Sequence, residues 1–125
     1  MEAMGDNRGA HTPEELETLL EDALIARDHR ALIALFEAGA VLDVGDGPSA
    51  RGSLAIARLA TAMCDRGRIY VADPRRIVQA RDIALILAER SINVVRRGAD
   101  GTWRYAIALP FVGDPWETAE TAEEP

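Results

Sequence analysis

Two side chains of this sequence carry proton-binding groups and lie among apolar neighbours. Asp43 lies in the apolar segment AVLDV, residues 40–44, and Tyr105 lies in DGTWRYAIALPF, residues 100–111. A carboxylate with apolar walls binds a proton more tightly than one in water, so Asp43 is the best candidate for a general base. Tyr105 is the candidate donor to a ligand carbonyl. The alternatives are a solvated Asp43 beside a turn and a Tyr105 that is a core residue with its hydroxyl at the rim.

Other candidate ligand-binding side chains follow the same strands. Arg90 interrupts an otherwise apolar pattern, and it could bind a carboxylate or phosphate or form a structural ion pair. Trp103 could stack on a ligand, although a tryptophan near a turn more often anchors the packing. Ser91 and Asn93 could add hydrogen bonds, as residues at strand ends often do.

The sequence predicts no metal and no cofactor. His11 and His29 have no second His or Cys at ligand spacing, and Cys64 fits an inert, buried thiol at the end of a helix. The segment GDGPSARG lacks the lysine of a phosphate-binding loop.

The composition excludes several classes of protein. The chain has 125 residues, enough for one domain with its own core, and a net charge of −7, which argues against nucleic acid as a partner. Its single cysteine allows no internal disulfide. The N-terminal segment lacks the apolar stretch of a signal peptide, and no apolar run approaches the ~20 residues that cross a bilayer. We therefore expect a soluble, cytoplasmic protein.

Three helices are predicted in the first half of the chain. Thr12 and Pro13 indicate a helix start, and leucines and alanines follow at helical spacing up to Leu24. Asp28 indicates the cap of a second short helix, which carries Phe36 on one side and ends at Gly39. A short strand over residues 40–44 precedes a third helix, which starts at Ser53 and ends at Gly67.

Strands are predicted after the helices, over about 68–80, 83–97 and 102–111. Pro74 indicates a bulge or an edge position in the first of them, and the tight turns between them favour antiparallel pairing. The order of elements predicts an α+β fold, a curved antiparallel sheet around three N-terminal helices. We expect a flexible leader over 1–11, one domain over 12–114 and an acidic, disordered tail over 115–125.

The long strands are apolar on both faces, which is unusual for a sheet with one wet side. In the last strand, the larger side chains are expected to face the helices: Trp103, Tyr105, Ile107, Leu109 and Phe111. The smaller row, with Ala106 and Ala108, is then left on the outside together with Ile86. A second copy of the chain is the simplest cover, so a homodimer through the outer sheet face is predicted.

Four stretches, in this order and spacing, resemble the nuclear transport factor 2-like superfamily, most closely its SnoaL-like and ketosteroid-isomerase-like members. They span about residues 13–112 and read LLEDALIARDHRALIALFEAGAVL, RGSLAI, QARDIALILAE and DGTWRYAIALPF. The resemblance implies a cone-shaped fold that hosts isomerases, dehydratases and cyclases as well as binding proteins. In the enzymes, an Asp or Tyr projects into an apolar cone and moves a proton. This chain has Leu20 where such isomerases have a Tyr and Val44 where they have the basic Asp, one residue after Asp43.

Two functions follow as hypotheses. In the first, the protein binds a small hydrophobic or polycyclic molecule in an apolar cone pocket. If it is an enzyme, it catalyses a cofactor-free reaction of the isomerase, cyclase or dehydratase type. Asp43 would be the base, Tyr105 or Arg90 would polarise an oxygen, and the pocket would be lined by Leu20, Leu24, Phe36, Arg90, Trp103 and Tyr105. The alternative is a non-catalytic dimeric binding or scaffold module with a degenerate pocket. The sequence leaves open whether the protein is an enzyme.

Overall fold

The chain folds as two helices, two strands, a third helix and four more strands, and the six strands form one sheet that curves around the helices. The structure, a computed structural model, describes residues 9–45, 49–67, 73–89 and 91–110. Its helices are α1 (Pro13–Ala26), α2 (His29–Ala34) and α3 (Ser53–Asp65). Its strands are β1 (Phe36–Asp43), β2 (Ser49–Arg51), β3 (Pro74–Ala80), β4 (Ile83–Ala88), β5 (Ser91–Arg97) and β6 (Trp103–Pro110). The predicted α+β fold is confirmed. Of the leader predicted over 1–11, residues 1–8 lie outside the described residues, and Ala10 is buried and bridges to Trp103. The tail predicted over 115–125 also lies outside the described residues.

The helix starts follow their capping residues. The Thr12 hydroxyl accepts the Glu15 backbone N–H at 3.0 Å, and Pro13 occupies the first turn of α1, as predicted. The Asp28 carboxylate accepts the Ala31 N–H at 3.1 Å and caps α2. The prediction that α2 runs to Gly39 with Phe36 on its face is wrong. The helix ends at Ala34, and β1 begins at Phe36, because Phe36 pairs with Tyr105 in the sheet.

The sheet has the strand order β2-β1-β6-β5-β4-β3. All neighbouring strands are antiparallel except β1 and β6, which pair in parallel. The sheet is therefore mixed. The turn signals that predicted antiparallel pairing concern only the hairpins of the second half, so they gave no sign of the parallel pair. The strand predicted over 83–97 is two strands, β4 and β5, which pair with Ile86 opposite Asn93. Pro74 starts the edge strand β3, whose register shifts between Pro74 and Arg76, as its position predicts.

A β-bulge in β6 decides which residues face the helices. Val95 pairs with Tyr105 and Val94 pairs with Ile107, so Ala106 is the extra residue. Tyr105 and Ala106 are both buried, and from Ile107 onward the alternation is reversed. The prediction that Ile107 and Leu109 share the inner face of Tyr105 is therefore wrong. Phe111 lies outside the described residues.

The inner and outer rows are thus the reverse of the predicted ones over much of the sheet. Ile86, Ala106 and Ala108 are 0%, 8% and 4% exposed within one chain, and Ile86 and Ala108 belong to the core that packs against the helices. The outer face of β3, β4, β5 and β6 instead carries larger apolar residues. We call these the outer apolar patch: Val78, Ile83, Leu85, Leu87, Ile92, Val94, Ile107 and Leu109.

Candidate functional site

A buried carboxyl group lies inside the curve of the sheet, on the inward face of α1. Glu17 is 1% exposed and is the one buried acidic side chain among the described residues. Its Oε2 accepts the Tyr105 hydroxyl at 2.7 Å and the Asn93 amide at 2.9 Å. Asn93 and Tyr105 are themselves 1% and 0% exposed. We call Glu17, Asn93 and Tyr105 the interior cluster.

Each member of the interior cluster is placed by its own element. Glu17 follows Pro13 by four residues and precedes Leu20 by three, so it shares the buried face of α1 with them. Asn93 and Tyr105 face inward from adjacent strands β5 and β6. The Asn93 carbonyl oxygen accepts the backbone N–H of Leu109 at 3.3 Å, which turns the amide N–H group toward Glu17. The Phe36 ring packs on the Tyr105 ring with centroids 5.1 Å apart.

This arrangement suits a group that exchanges a proton. A hydrogen bond to an ionised carboxylate is stronger than one between neutral groups, and a low local dielectric strengthens it further. The Asn93 amide and the Tyr105 hydroxyl both donate to one oxygen of the Glu17 carboxyl and so hold its orientation. The interior cluster therefore holds a carboxyl in one orientation among apolar walls, which is what general acid–base chemistry needs.

An apolar cavity lies beside the interior cluster. Its volume is about 30 Å³, and among the described residues it is lined by Leu20, Leu24, Phe36, Leu42, Ala60, Met63, Cys64 and Pro110. Three of the predicted lining residues, Leu20, Leu24 and Phe36, are thus brought together here. Burial raises the pKa of the Cys64 thiol, an effect that nearby Arg27 opposes and Asp65 reinforces. A raised pKa disfavours the thiolate, which is the nucleophilic form, so the inert role expected of Cys64 stays a prediction that this direction favours.

A second cavity lies on the other side of α1. It has a volume of about 660 Å³ and opens between α1, α2 and the start of β6. We call it the helix groove. Trp103 lines the helix groove rather than the apolar cavity, so the structure does not bring Trp103 together with Leu20 and Leu24 as predicted.

The turn before β6 is held by an ion pair at the rim of the helix groove. Asp100 accepts from the Arg104 guanidinium at 2.8 Å and from the Thr102 hydroxyl at 2.8 Å. Arg104, together with the backbone and side chain of Thr102, holds the pKa of the Asp100 carboxyl well below its usual range. The same bond raises the pKa of Arg104, so both groups stay charged and fix the start of the strand that carries Tyr105.

Solved structures share this architecture. A protein proposed to be a calcium/calmodulin-dependent protein kinase type II association domain, from Thiobacillus denitrificans, is 20% identical with a TM-score of 0.62 over 79% of this chain and 94% of that one. A ketosteroid isomerase-like protein from Erwinia carotovora atroseptica is 18% identical with a TM-score of 0.60 over 82% and 95%. A protein proposed to be a polyketide cyclase, from Sinorhizobium meliloti, is 26% identical with a TM-score of 0.54 over 76% and 92%.

This chain has the nuclear transport factor 2-like fold. The resemblance drawn from its sequence is therefore confirmed at the level of the fold. No protein-family model matches the sequence, and neither does any curated protein.

The nuclear transport factor 2-like cone separates the two residues first considered as proton carriers. Tyr105 faces its interior. Asp43 is half-buried between Leu42 and Val44, which both face the core, so Asp43 lies on the opposite face of the sheet. The Asp43 carboxylate accepts the Gly45 N–H at 2.8 Å, as an Asp beside a turn does. The catalytic role of Asp43 stays a prediction without support from this geometry. Arg90, the other predicted polar site residue, lies outside the described residues.

Glu17 was not singled out from the sequence, although a signal for it exists. A Glu in the first half of a helix is ordinarily a solvated residue favoured by the helix dipole. Its spacing from Pro13, Leu20 and Leu24, however, places it on the apolar stripe that the same sequence defines. A charged residue on that stripe must be paired, and this is the observation that would have identified it.

The described residues contain no group of three or more His, Cys, Asp or Glu side chains that could hold a metal ion. Within the same part of the chain, none of the helices has the length and apolar character that a membrane span requires.

Proposed function

We propose that this protein binds a small hydrophobic molecule in the cone and transfers a proton with Glu17, in a cofactor-free reaction of the isomerase, cyclase or dehydratase type. The interior cluster carries the proposal, because it presents a buried carboxyl in a fixed orientation. The neighbouring apolar cavity, lined by Leu20 one helical turn from Glu17, supplies apolar walls. Its volume of about 30 Å³ is below that of a small-molecule pocket, so the proposal requires side chains to move apart when the ligand binds.

The step needs only the carboxyl group and a carbon acid. The Glu17 carboxylate takes a proton from the carbon next to a ligand carbonyl, and the electron pair of that C–H bond moves into the enolate. The resulting carboxylic acid returns the proton to the same or another carbon, so the carboxylate is regenerated. Tyr105 and Asn93 are positioning residues, since each holds the carboxyl by one hydrogen bond.

The solved structures support this class of chemistry without fixing the substrate. One relative by fold is described as ketosteroid isomerase-like and another as a proposed polyketide cyclase. The likeness is one of fold, so the proposal depends on Glu17 itself.

The test is hydrogen–deuterium exchange of the α-protons of cyclic ketones, with 2-tetralone and cyclohexanone as probes in heavy water, followed by proton NMR. We expect the native protein to accelerate the exchange and Glu17→Gln to lower the enzymatic rate by about 10²-fold or more. Glu21→Gln, one helical turn later on α1 and half-exposed, is the matched control and keeps the native rate.

Asp43→Asn distinguishes the two carboxylates. With Glu17 as the proton carrier, this variant exchanges the probes as fast as the native protein does. Equal rates for Glu17→Gln and the native protein, with both folded by circular dichroism, would remove Glu17 from the mechanism. An absence of acceleration by the native protein with every probe would contradict the enzymatic proposal as a whole.

The outer apolar patch favours a second function, that of a homodimeric binding or scaffold module. Its residues lie on four adjacent strands, and Val78, Ile83 and Ile107 are 47%, 43% and 42% exposed in the single chain. A sheet face that meets water normally carries polar residues, and a contiguous apolar face marks an interaction surface.

A second copy is the proposed occupant of the outer apolar patch. Arg96 pairs with Glu37 at 2.8 Å at one border of the patch, so this charged rim is neutralised within its own chain and does not repel an identical surface. Two such patches related by a two-fold axis would each cover the other.

Sedimentation velocity at about 10 µM tests the assembly. We expect a dimer for the native chain and a monomer for Leu85→Lys combined with Val94→Lys, because two charges would be buried in the interface. Thr18→Lys, an exposed change on α1, leaves the dimer intact. A native monomer at this concentration, or a dimer that survives both lysines, would contradict the proposal.

A further inference from the structure

The apolar cavity lies in the gap between α1 and α3. Leu20 and Leu24 line it from α1, and Ala60, Met63 and Cys64 line it from α3. The packing of α3 on α2 is more extensive than its packing on α1, so this gap is the weaker of the two helix contacts. The remaining walls belong to hydrogen-bonded strands of the sheet. A ligand larger than the cavity therefore disturbs the fold least by parting α1 from α3.

An ion pair spans this gap where the two helices end. Arg27 follows the last turn of α1, and Asp65 is the last residue of α3. The Arg27 Nε donates to the Asp65 carboxylate at 3.0 Å, and a terminal nitrogen of the same guanidinium donates to the Leu24 carbonyl at 2.7 Å. Leu24 and Cys64, the neighbour of Asp65, both line the cavity. We call this pair the Arg27–Asp65 latch.

The backbone of Arg27 shows that this position is set by its side chain. Its φ of 55° and ψ of 40° lie in the left-handed region, which glycine adopts without strain at a helix end. A residue with a Cβ raises the free energy of that conformation, and such an outlier persists where the surroundings compensate for it. Here the compensation is the guanidinium, which caps α1 at Leu24 and holds α3 at Asp65.

We propose that the Arg27–Asp65 latch controls entry to the apolar cavity, which opens to a ligand when the pair separates and α1 and α3 part. The two side chains are 43% and 63% exposed, so water replaces each partner readily, and the pair favours the closed state by only about two- to fivefold. The latch thus holds the cavity shut without preventing its opening. The nature of the ligand rests on the proposed function, whereas the opening does not require Glu17 to transfer a proton.

The Cys64 thiol reports the opening, because it lines the cavity beside the latch. Its reaction with 4,4′-dithiodipyridine, an uncharged aromatic disulfide, is followed by absorbance at pH 8. We expect Arg27→Gly and Asp65→Ala each to react about two- to fivefold faster than the native protein. The double variant should react no faster than either single variant, because the same pair is lost in all three, whereas separate losses of stability would add up.

Both variants keep the helix ends. Glycine suits the left-handed end of α1, and Asp65→Ala removes an acidic residue from the last turn of α3, where the helix dipole disfavours it. Arg75→Gln is the matched control, since it breaks an exposed ion pair with Glu89 at residues that do not line the cavity. It should react at the native rate.

The direct effects of the two charges on the thiol have opposite signs. Burial raises the pKa of the Cys64 thiol, Arg27 lowers it and Asp65 raises it further. Since the thiolate is the reactive form, charge alone would make Arg27→Gly slower and Asp65→Ala faster than the native protein. The latch instead makes both faster, so the direction of the change in Arg27→Gly separates the two explanations.

Salt and a deeper thiol separate opening from simple uncovering of Cys64. Raising sodium chloride from about 0.05 to 0.5 M screens an exposed pair, so it should accelerate the native protein but not Arg27→Gly. In a Cys64→Ser background, Ala60→Cys places a thiol one turn earlier on α3, at a position that is 9% exposed. That thiol should show the same acceleration by Arg27→Gly.

A rate that falls in Arg27→Gly, that stays unchanged in either single variant, or that rises for Cys64 but not for the deeper thiol would overturn the proposal. Labelling measures access to the cavity, whereas exchange of ketone α-protons measures proton transfer by Glu17. Faster labelling in the variants of a protein that exchanges no probe would therefore contradict the enzymatic function and support the latch.

Discussion

Removal of the Tyr105 hydroxyl tests the physical basis of the interior cluster. Tyr105→Phe keeps the ring that packs on Phe36 and deletes the 2.7 Å hydrogen bond to Glu17. A hydrogen bond to a charged group contributes about 1.5–3 kcal/mol. Since Asn93 still donates to the same carboxylate oxygen, we expect a loss of about 2 kcal/mol in the free energy of unfolding. For a domain of this size, that corresponds to a decrease of roughly 10 °C in Tm.

The assay is urea unfolding at pH 7, followed by far-ultraviolet circular dichroism at one fixed protein concentration. The concentration is fixed because dimerisation would add to the apparent stability. Thr61→Val is the matched control, since it also deletes one hydroxyl, whose 2.9 Å bond goes to the Ala57 carbonyl. That carbonyl also accepts a helical N–H, so the control should lose about 0.5 kcal/mol or less.

A double-mutant cycle then identifies the partner of the hydroxyl. If Tyr105 acts through Glu17, the losses for Tyr105→Phe and Glu17→Gln are not additive, and the coupling energy is about 1–2 kcal/mol. A loss below about 0.5 kcal/mol for Tyr105→Phe, or a coupling energy near zero, would refute the reasoning. The interior cluster would then be a packing feature, and the orientation of Glu17 would not depend on Tyr105.

Three further changes test the local structure around the sites. Gly52→Ala should lower stability by about 1–3 kcal/mol in urea unfolding, because Gly52 has φ of 94°, whereas Gly39→Ala, which meets no atom within 4 Å, should be neutral or stabilising. Cys64 should react with a disulfide reagent at pH 8 at least tenfold more slowly than a free thiol and at the free rate in urea; equal rates in both would show that it is not protected. Asp100→Asn should lower Tm at pH 7, and the difference in Tm between the variant and the native protein should shrink below about pH 4. The reason is that a carboxyl whose pKa is lowered by folding stabilises the fold above its unfolded pKa and loses that contribution as the pH falls. A constant difference down to pH 2 would mean that Asp100 acts through something other than its charge.

The fold was predictable because its signals are local and agree with one another. Thr12 and Pro13 define the start of α1 by short-range chemistry, and the same residues form the cap in the structure. Pro74 cannot donate to a strand on its N–H side, so its place at the start of an edge strand also follows from its covalent structure. Such positions need no knowledge of the partners they meet in the fold.

The start of β1 and the pairing of β1 with β6 could not be read in this way. Phe36 fits the helical spacing of the residues before it, and only its pairing with Tyr105, far along the chain, makes it a strand residue. The parallel direction of that pairing is likewise decided by tertiary packing. The turn residues of the hairpins contain no information about it.

The candidate site was predicted in part. Tyr105 was expected to face the cone, and it does, because its position precedes the bulge. Asp43 was preferred as the base on the strength of its apolar neighbours in sequence, but neighbours in a strand point to the opposite face. Glu17 has apolar neighbours three and four residues away, which is the spacing that matters in a helix. Periodicity on the helix was thus the more useful signal.

The bulge at Ala106 connects the interior of the cone with its outer surface. Without an extra residue in β6, Tyr105 and Ile107 would point to the same side of the sheet, as strict alternation requires. With it, Tyr105 faces Glu17, while Ile107 lies outside opposite Val94 and extends the outer apolar patch. One backbone irregularity therefore places the donor to the buried carboxyl and completes the surface proposed for a second copy. The two proposed functions depend on the same register of β6, so they describe two faces of one strand and do not exclude each other.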